Sequence, residues 1–316
     1  MKKLLFIGGP PRSGTTALAD YLNRHPGVLI CRERYKWVPP YEVRPKLFTF
    51  ERILDYRMSS RGDRAETNTP REHHVKLLEG KDPERLEWIG DKTPAYVEIL
   101  TRLSENSPGA SFIVTYRPLE EVAESFEARS KDPNDPWRLG GFEDGVERWN
   151  AAMRSVRDFV ESARNLNVLI VDYRTFFSDN RSVVPLLSRF LSIEIDQETQ
   201  DAWRNLSRDF EARRRPKEPL NDRQRAFVEA EKDSEAERWV LNRIERQQRE
   251  LKIYSPEAAR EMAEERRLSA VRVAKERTRA RRLRERAESL QQEKEELERQ
   301  LGDARSSKGR RRLWPR

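Results

Sequence analysis

Four stretches of nearly unbroken apolar character punctuate the chain: KLLFIG, LEWIG, ASFIVTY and NVLIVDY. A strand covered on one face alternates apolar and polar residues, whereas a strand covered on both faces does not, so these four read as interior strands of a parallel sheet. Between them the period becomes helical. Ala17, Leu18, Tyr21 and Leu22 share one face after the first run, and Val122 and Phe126 do so with Ala123 and Ala128 after the third. Trp149, Met153, Val156 and Val160 precede the last run, and Val183, Leu186, Leu187, Phe190 and Leu191 follow it. Strand and helix in alternation predict an α/β fold: an open, mainly parallel sheet flanked by helices, with right-handed crossovers and ligands beyond the carboxyl ends of the strands. The charged, proline-bearing stretch from Tyr35 to Lys81 breaks the pattern. It is expected to be an irregular, partly helical insertion beside the ligand-binding edge.

After Tyr254 the pattern changes again. Ser255 can cap a helix and Pro256 suits its first position. Helix formers then run to about Leu301. Leu283, Leu290 and Leu297 are seven apart; Ala287 and Leu301 partly fill the companion row, which Lys294 interrupts. That spacing predicts a short coiled coil, with a solvated single helix as the alternative. Three regions follow: a catalytic domain over 1–255, a long helix over 256–302 able to pair two copies of the chain, and a basic, disordered tail over 303–316.

Charge sharpens this division. The 316 residues carry a net charge of +8. From Pro256 to Arg316, 19 Lys and Arg face 12 Asp and Glu, so the first 255 residues are almost neutral. The stretch Arg272 to Arg286 and the end RRRLWPR are the basic segments, suited to peripheral contact with an anionic membrane. They also support a reading of a different class, a coiled-coil scaffold on anionic surfaces. No nucleic-acid fold motif accompanies them, so nucleic acid is not an expected partner. Cys31 is the only cysteine, which excludes an internal disulfide and fits a cytoplasmic setting. No run approaches the ~18 apolar residues of a membrane span. The opening MKKLLFIGG flows straight into a glycine turn, as a buried first strand does.

That glycine turn carries the first chemistry. From Gly9 the spacing is G-x-x-x-x-G-T-T, with Thr15 where a nucleotide triphosphatase loop places its lysine. A strand, a glycine turn and a helix start bring unpaired N–H groups and the helix dipole onto one anion. Ser13, Gly14, Thr15 and Thr16 supply close approach and hydroxyls. Arg12 supplies a forked charge suited to an oxyanion with several oxygens. The fold is thus P-loop-like, with an appended long helix.

The segment GPPRSGTTALADYLNRHPGV resembles the 5′-phosphosulfate loop of sulfotransferases, which use 3′-phosphoadenosine 5′-phosphosulfate (PAPS) as sulfuryl donor. Its PRSGTT form looks like the tyrosylprotein and many bacterial carbohydrate or small-molecule enzymes. The donor has no γ-phosphate, so the resemblance implies that neither the loop lysine nor a metal is needed. SFIVTYRPLEEVAESF resembles the segment that holds the 3′-phosphate, which assigns Arg117 and Ser125 to it. GDKTPAY resembles the family's KTP segment and points to Lys92. HPGVLICRERY resembles its HP-x-V segment and makes Glu33 the candidate base. VLIVDYRTFFSD resembles a further strand end, with Tyr173 near the base of the nucleotide and Arg174 replacing an acid. FEARRRPKEPL resembles the late basic loop that closes over the nucleotide, with Arg213, Arg214 and Arg215 as candidates. The resemblance covers roughly residues 2 to 230.

The implied reaction moves a sulfuryl group from PAPS to an acceptor hydroxyl on a glycan, glycolipid or small molecule. Lys92 and Arg12 would stabilise charge on the leaving phosphate, and Glu33 would take the acceptor proton. His73 and His74 are rival bases, since imidazole titrates in the useful range; His25 is expected to pack at the helix end before Pro26. KDPNDPWRLGGFEDG, with Trp137 and Phe142, reads as a mobile loop able to stack on an acceptor. A P-loop kinase is the competing enzyme, with Asp172 as its magnesium ligand; Thr15 and Arg117 argue against it.

Overall fold

Lys3 to Gly8 form β1, whose last four residues are buried. The structure, a computed structural model, describes residues 2–135, 140–162, 167–178, 180–212 and 219–252. Along these, β1 is followed by α1 (Thr15–Leu22), β2 (Val28–Arg32), α2 (Phe50–Leu54), α3 (Arg71–Glu79), β3 (Trp88–Lys92), α4 (Leu100–Asn106) and β4 (Ser111–Tyr116). Then come α5 (Leu119–Ser130), α6 (Phe142–Ser162), β5 (Asn167–Asp172), α7 (Tyr173–Ser178), α8 (Asn180–Leu191), α9 (Gln197–Ala212), α10 (Asp222–Glu231) and α11 (Ser234–Lys252).

The strands hydrogen-bond in the order β2–β3–β1–β4–β5, and every pairing is parallel. The four apolar runs all become strands. The fifth, β2, was not among the predicted strands: it has five residues, lies at the sheet edge and runs straight into charged residues. The third element also sits further along than its apolar run, because β3 extends over Asp91 and Lys92. The order makes β1 central, with β3 on one side and β4 on the other. In register, Ile7 lies opposite Lys92 on β3 and Ile113 on β4. Whatever binds past the end of β1 is therefore flanked by the ends of both neighbours.

Alternate residues of each strand feed two cores, one on each face. Phe6, Ile89, Phe112 and Val114 join Trp149, Met153 and Val156 of α6 on the first face. Leu5, Ile7, Ile113 and Leu169 join Leu18, Leu22 and Leu187 of α1 and α8 on the second. Burial on both faces explains why the runs lack alternation.

Open sheet edges expose backbone groups that need partners. Here an amide side chain does the work at each edge. Asn23 donates to Ile30 O and accepts from Ile30 N–H on β2, both at 2.8 Å. Gln247 of α11 treats Ile170 on β5 the same way, at 2.9 and 3.1 Å.

The insertion after Tyr35 is partly helical as expected: two short 3-10 turns, α2 and α3, and one antiparallel bridge between Met58 and Ala65. Arg34 is fully buried beneath it, donating to the carbonyls of Ile53, Arg52 and Asp55 and pairing with Glu66 at 3.0 Å. Phe142 does not sit in a loop: it opens α6 and packs edge-on against Phe227 at 5.5 Å. Trp137, Arg213 to Arg215, the coiled coil over 256–302 and the tail over 303–316 lie outside the described residues. Among the described residues no helix is long and apolar enough to cross a membrane.

Replacing Gln247 by Leu strands the N–H and C=O of Ile170 at a buried edge, and should lower the unfolding free energy by about 2 kcal/mol. Urea denaturation checks this; a loss under about 0.5 kcal/mol would place the variant among neutral surface changes and remove the edge-capping role.

Candidate functional site

The loop that leaves β1 turns at two special positions. Arg12 adopts a left-handed φ of 73° and Gly14 one of 89°. At Gly14 a side chain has no room, since an added Cβ would lie 2.5 Å from Cδ2 of Tyr173. Glycine removes both the conformational and the steric conflict. The helix α1 then begins with no side-chain cap and no acid in its first turn. Among the described residues the N–H groups of Gly14, Thr15 and Thr16 have no partner. They form a cradle of unmet donors at a helix start, which favours an anion. Ser13 is turned to another purpose. Its buried hydroxyl bonds Pro10 O at 2.5 Å and Thr115 Oγ1 at 2.6 Å, tying the loop to β4. Thr15 is buried and Thr16 half-buried.

Arg117 follows β4 and is 6% exposed. Three contacts fix its guanidinium. Nη1 donates to the carbonyl of Arg12 at 2.8 Å, Nε to Glu121 at 3.0 Å, and the group lies 4.4 Å from the ring centre of Tyr173. Its own carbonyl accepts from Trp149 Nε1 at 2.8 Å. Ser125, two turns into α5, accepts from Arg12 Nε at 3.1 Å. Loop, strand end and helix therefore meet on one side of the sheet, and the spacing of eight between Arg117 and Ser125 brings both to Arg12. The Arg12 guanidinium is lowered to about 10, by partial desolvation first and then by the charges of Arg129 and Arg117, so it stays charged at neutral pH. Tyr173, expected beside a nucleotide base, is the first residue of α7 and lies between Gly14 and Arg117. Arg174 pairs with Glu121 at 2.6 Å, extending the ladder that orients Arg117.

On the other flank, Lys92 ends β3 with its side chain only 2% exposed, and Nζ donates to Glu33 Oε1 at 3.1 Å. Lys36 holds Oε2 at 2.7 Å. Burial alone would raise the Glu33 carboxyl, but Lys92 and Lys36 outweigh it and the net shift is downward. Burial depresses Lys92, with Glu33 opposing the effect. Glu33 has a φ of 50°, a left-handed conformation costing a non-glycine residue about 1–2 kcal/mol. Its N–H donates to Lys92 O, while Thr67 and Thr69 of the insertion donate to the carbonyls of Glu33 and Arg32.

The rival histidines fare differently. His74 is buried, accepts the Arg32 N–H at Nε2 and bonds Tyr56 through Nδ1; burial lowers it to about 3, so it is a neutral structural acceptor. His73 packs edge-on against it. His25 accepts from Gly27 N–H and donates to Glu194 O, packing at the end of α1 as expected. Asp172, the kinase-type candidate, instead caps α7 through Arg174 and Thr175.

Several residues here were missed from sequence. Asp91, fully buried next to Lys92, accepts from Arg34 N–H, Tyr35 N–H, Thr93 Oγ1 and Tyr96 OH. A carboxylate inside an otherwise covered strand was the available signal. Glu121 and Trp149 read as ordinary helix residues. The insertion also lines an open cleft of about 600 Å³, bordered by Tyr41, Arg44, Lys46, Arg52, Met58 and Glu66 among others.

A model described as the sulfotransferase family matches residues 5–197. Protein-tyrosine sulfotransferase A of Caenorhabditis elegans is 26% identical over 206 residues, covering 61% of this chain and 50% of that protein. Protein-tyrosine sulfotransferase 1 of Homo sapiens is 26% identical over 154 residues, covering 48% of this chain and 41% of that protein. The chain thus spans about half the length of the curated relatives it matches. Among solved structures, the sulfotransferase domain of the Synechococcus PCC 7002 olefin synthase aligns at 19% identity with a TM-score of 0.43, over 63% of this chain and 76% of that one.

Glu33→Gln leaves the buried Lys92 ammonium an acceptor but no counter-charge and should cost about 1–3 kcal/mol in unfolding free energy. The double variant with Lys92→Met should lose less than the sum of the two single changes, by about 1 kcal/mol. The Glu33 carboxyl is depressed in the folded state. Its contribution is therefore full above the unfolded value near 4.3 and fades as pH falls through the folded one. Additive single effects at pH 7 would show that the pair is not coupled.

Proposed function

The chain belongs to the sulfotransferase family, whose model spans more than half of its length, and from that premise we propose that it transfers a sulfuryl group from PAPS to an acceptor hydroxyl. The observation that carries this reading is the meeting of the unmet loop donors with Arg117 and Ser125 around Arg12. A nucleotide phosphorylated at both its 5′ and 3′ ends needs two anion sites on one side of the sheet. The N–H groups of Gly14, Thr15 and Thr16, with the Thr16 hydroxyl and Arg12, suit the 5′ end. Ser125 Oγ and the Arg117 Nη2, which has no partner among the described residues, suit the 3′ end. Ser13 contributes by holding the loop to β4 through its hydroxyl, which is therefore not offered to the ligand.

PAPS supplies the activated sulfuryl group; the chain's residues supply position and charge. Lys92 lies beside Ile7, the last residue but one of β1, and with Arg12 it is placed to meet charge growing on the leaving phosphate. A preorganised donor of this kind is worth about 10²–10³ in rate. Glu33 is the base. While Lys92 holds it, its proton affinity is low. When Lys92 turns toward the donor phosphates, Glu33 keeps only Lys36, and its affinity for the acceptor proton rises. The base is thereby coupled to the presence of the donor.

The acceptor approaches from the insertion, whose Thr67 and Thr69 already hold the Glu33 turn. Its cleft supplies both ring faces and cations, so a hydroxyl-bearing glycan, glycolipid or small molecule fits this reading. The helix over 256–302 and the basic tail are proposed to pair copies of the chain and to touch an anionic membrane surface.

Equilibrium dialysis with 3′,5′-adenosine bisphosphate (PAP) tests the assignment. The protein should bind PAP without magnesium. Arg117→Ala should weaken binding about 100-fold or more, as loss of a buried charged partner does. Ser125→Ala, which removes one hydrogen bond to a charged group, should cost about tenfold. Binding that instead follows ATP with magnesium, and ignores both substitutions, would overturn the reading.

A further inference from the structure

The candidate base occupies a strained turn, and the strain needs a cause. Glu33 is one of three non-glycine residues with positive φ among those described. The two N–H groups that follow it, of Arg34 and Tyr35, point into the molecule rather than into solvent. There they meet a single carboxylate: Asp91 Oδ1 accepts from Arg34 N–H at 3.0 Å and Oδ2 from Tyr35 N–H at 3.3 Å. The remaining capacity of Oδ2 is taken by Tyr96 OH at 2.6 Å and Thr93 Oγ1 at 3.2 Å. Asp91 is fully buried, and no lysine or arginine side chain forms an ion pair with it among the described residues. A buried carboxylate is expensive unless its oxygens are satisfied, and here two of its four donors are the N–H groups of the turn.

The sequence position matters as much as the bonds. Asp91 and Lys92 are consecutive on β3, so their side chains leave opposite faces of the sheet. Lys92 grips the carboxylate of Glu33 on one face, while Asp91 grips the backbone after Glu33 on the other.

We propose that Asp91 is the positioning residue of the base: its carboxylate holds the 33–35 turn in the left-handed form that delivers Glu33 to Lys92. It touches neither donor nor acceptor and acts only through Glu33. The charged groups facing Glu33 are Lys92 from β3 and Lys36 from its own turn. Without Asp91 the turn relaxes, the distance to Lys92 opens, and the Glu33 carboxyl returns toward the ordinary range. Asn cannot replace Asp, because one of its two terminal groups is a donor and at least one cluster of donors then faces another.

This inference rests on Glu33 being the base, but its readout needs no acceptor and no turnover. Carbon-13 labelling of glutamate carboxyls, with Glu33 assigned by Glu33→Gln, follows its titration in the full chain. In the wild type Glu33 should titrate below the exposed glutamates. In Asp91→Asn it should move up to join them, while PAP affinity changes less than threefold. Thr93→Val and Tyr96→Phe remove side-chain donors and leave both N–H bonds, so they should leave the Glu33 titration in place. If Asp91→Asn folds and Glu33 titrates as in the wild type, or if Tyr96→Phe moves it just as far, the proposal is wrong. Should Asp91→Asn fail to fold, amide hydrogen exchange in the wild type decides: Arg34 and Tyr35 should exchange at least 100-fold slower than an open turn, and free exchange at either would overturn the clamp. A wild type that binds no PAP would defeat the sulfotransferase reading separately, with the titration still readable.

Discussion

The hydrogen bond from Arg117 Nη1 to the carbonyl of Arg12 joins the strand end after β4 to the loop after β1, beside the Arg12–Ser125 and Ser13–Thr115 bonds. It is possible because β1 and β4 are neighbours in the sheet, so the loop after one and the first residue after the other emerge side by side. It also requires the left-handed turn at Arg12, which aims that carbonyl at β4 and leaves the following N–H groups free. The rest is support. Tyr173 lies between Gly14 and Arg117, Glu121 orients the guanidinium, and Trp149 holds its carbonyl. Each contact removes freedom that an anion would otherwise have to remove on binding.

The second flank works by opposite charges. Lys92, Glu33 and Asp91 are three ionisable groups at the ends of the neighbouring strands β2 and β3, and burial works against the charged form of each. They are tolerated because each has a definite partner: lysine with glutamate, aspartate with backbone N–H groups. Such a network is stable only while complete. A ligand that draws Lys92 away therefore changes the chemistry of Glu33 at once, without any movement of the fold.

Much of this was legible in the chain. Strands buried on both faces announce themselves by unbroken apolar runs, and all four such runs became strands. The edge strand β2 did not, since its five residues end in Arg32 and run on into Glu33 and Arg34, like the start of a polar loop. The loop was singled out by its spacing, and Lys92, Arg117 and Ser125 by the resemblance; the fold brings Arg12, Arg117 and Ser125 together. Orientation was less legible. Ser13 lies in the motif, yet its hydroxyl is spent on Pro10 and Thr115. Phe142 was expected in a mobile loop and instead begins a packed helix. Asp91 went unnoticed because its function depends on which backbone groups cross the sheet edge to meet it, and no local pattern encodes that. His74 looked like a base because imidazole chemistry is visible in sequence; the burial that makes it a neutral acceptor is not.

A crystal structure of the protein with PAP is the most direct test of the central claim, that both phosphate sites belong to one nucleotide. The account predicts the 5′-phosphate on the N–H groups of Gly14 to Thr16, the 3′-phosphate on Arg117 and Ser125, and Lys92 Nζ turned from Glu33 toward the 5′ side. A nucleotide seated on the loop with its 3′-phosphate in solvent, and Lys92 still bonded to Glu33, would contradict it.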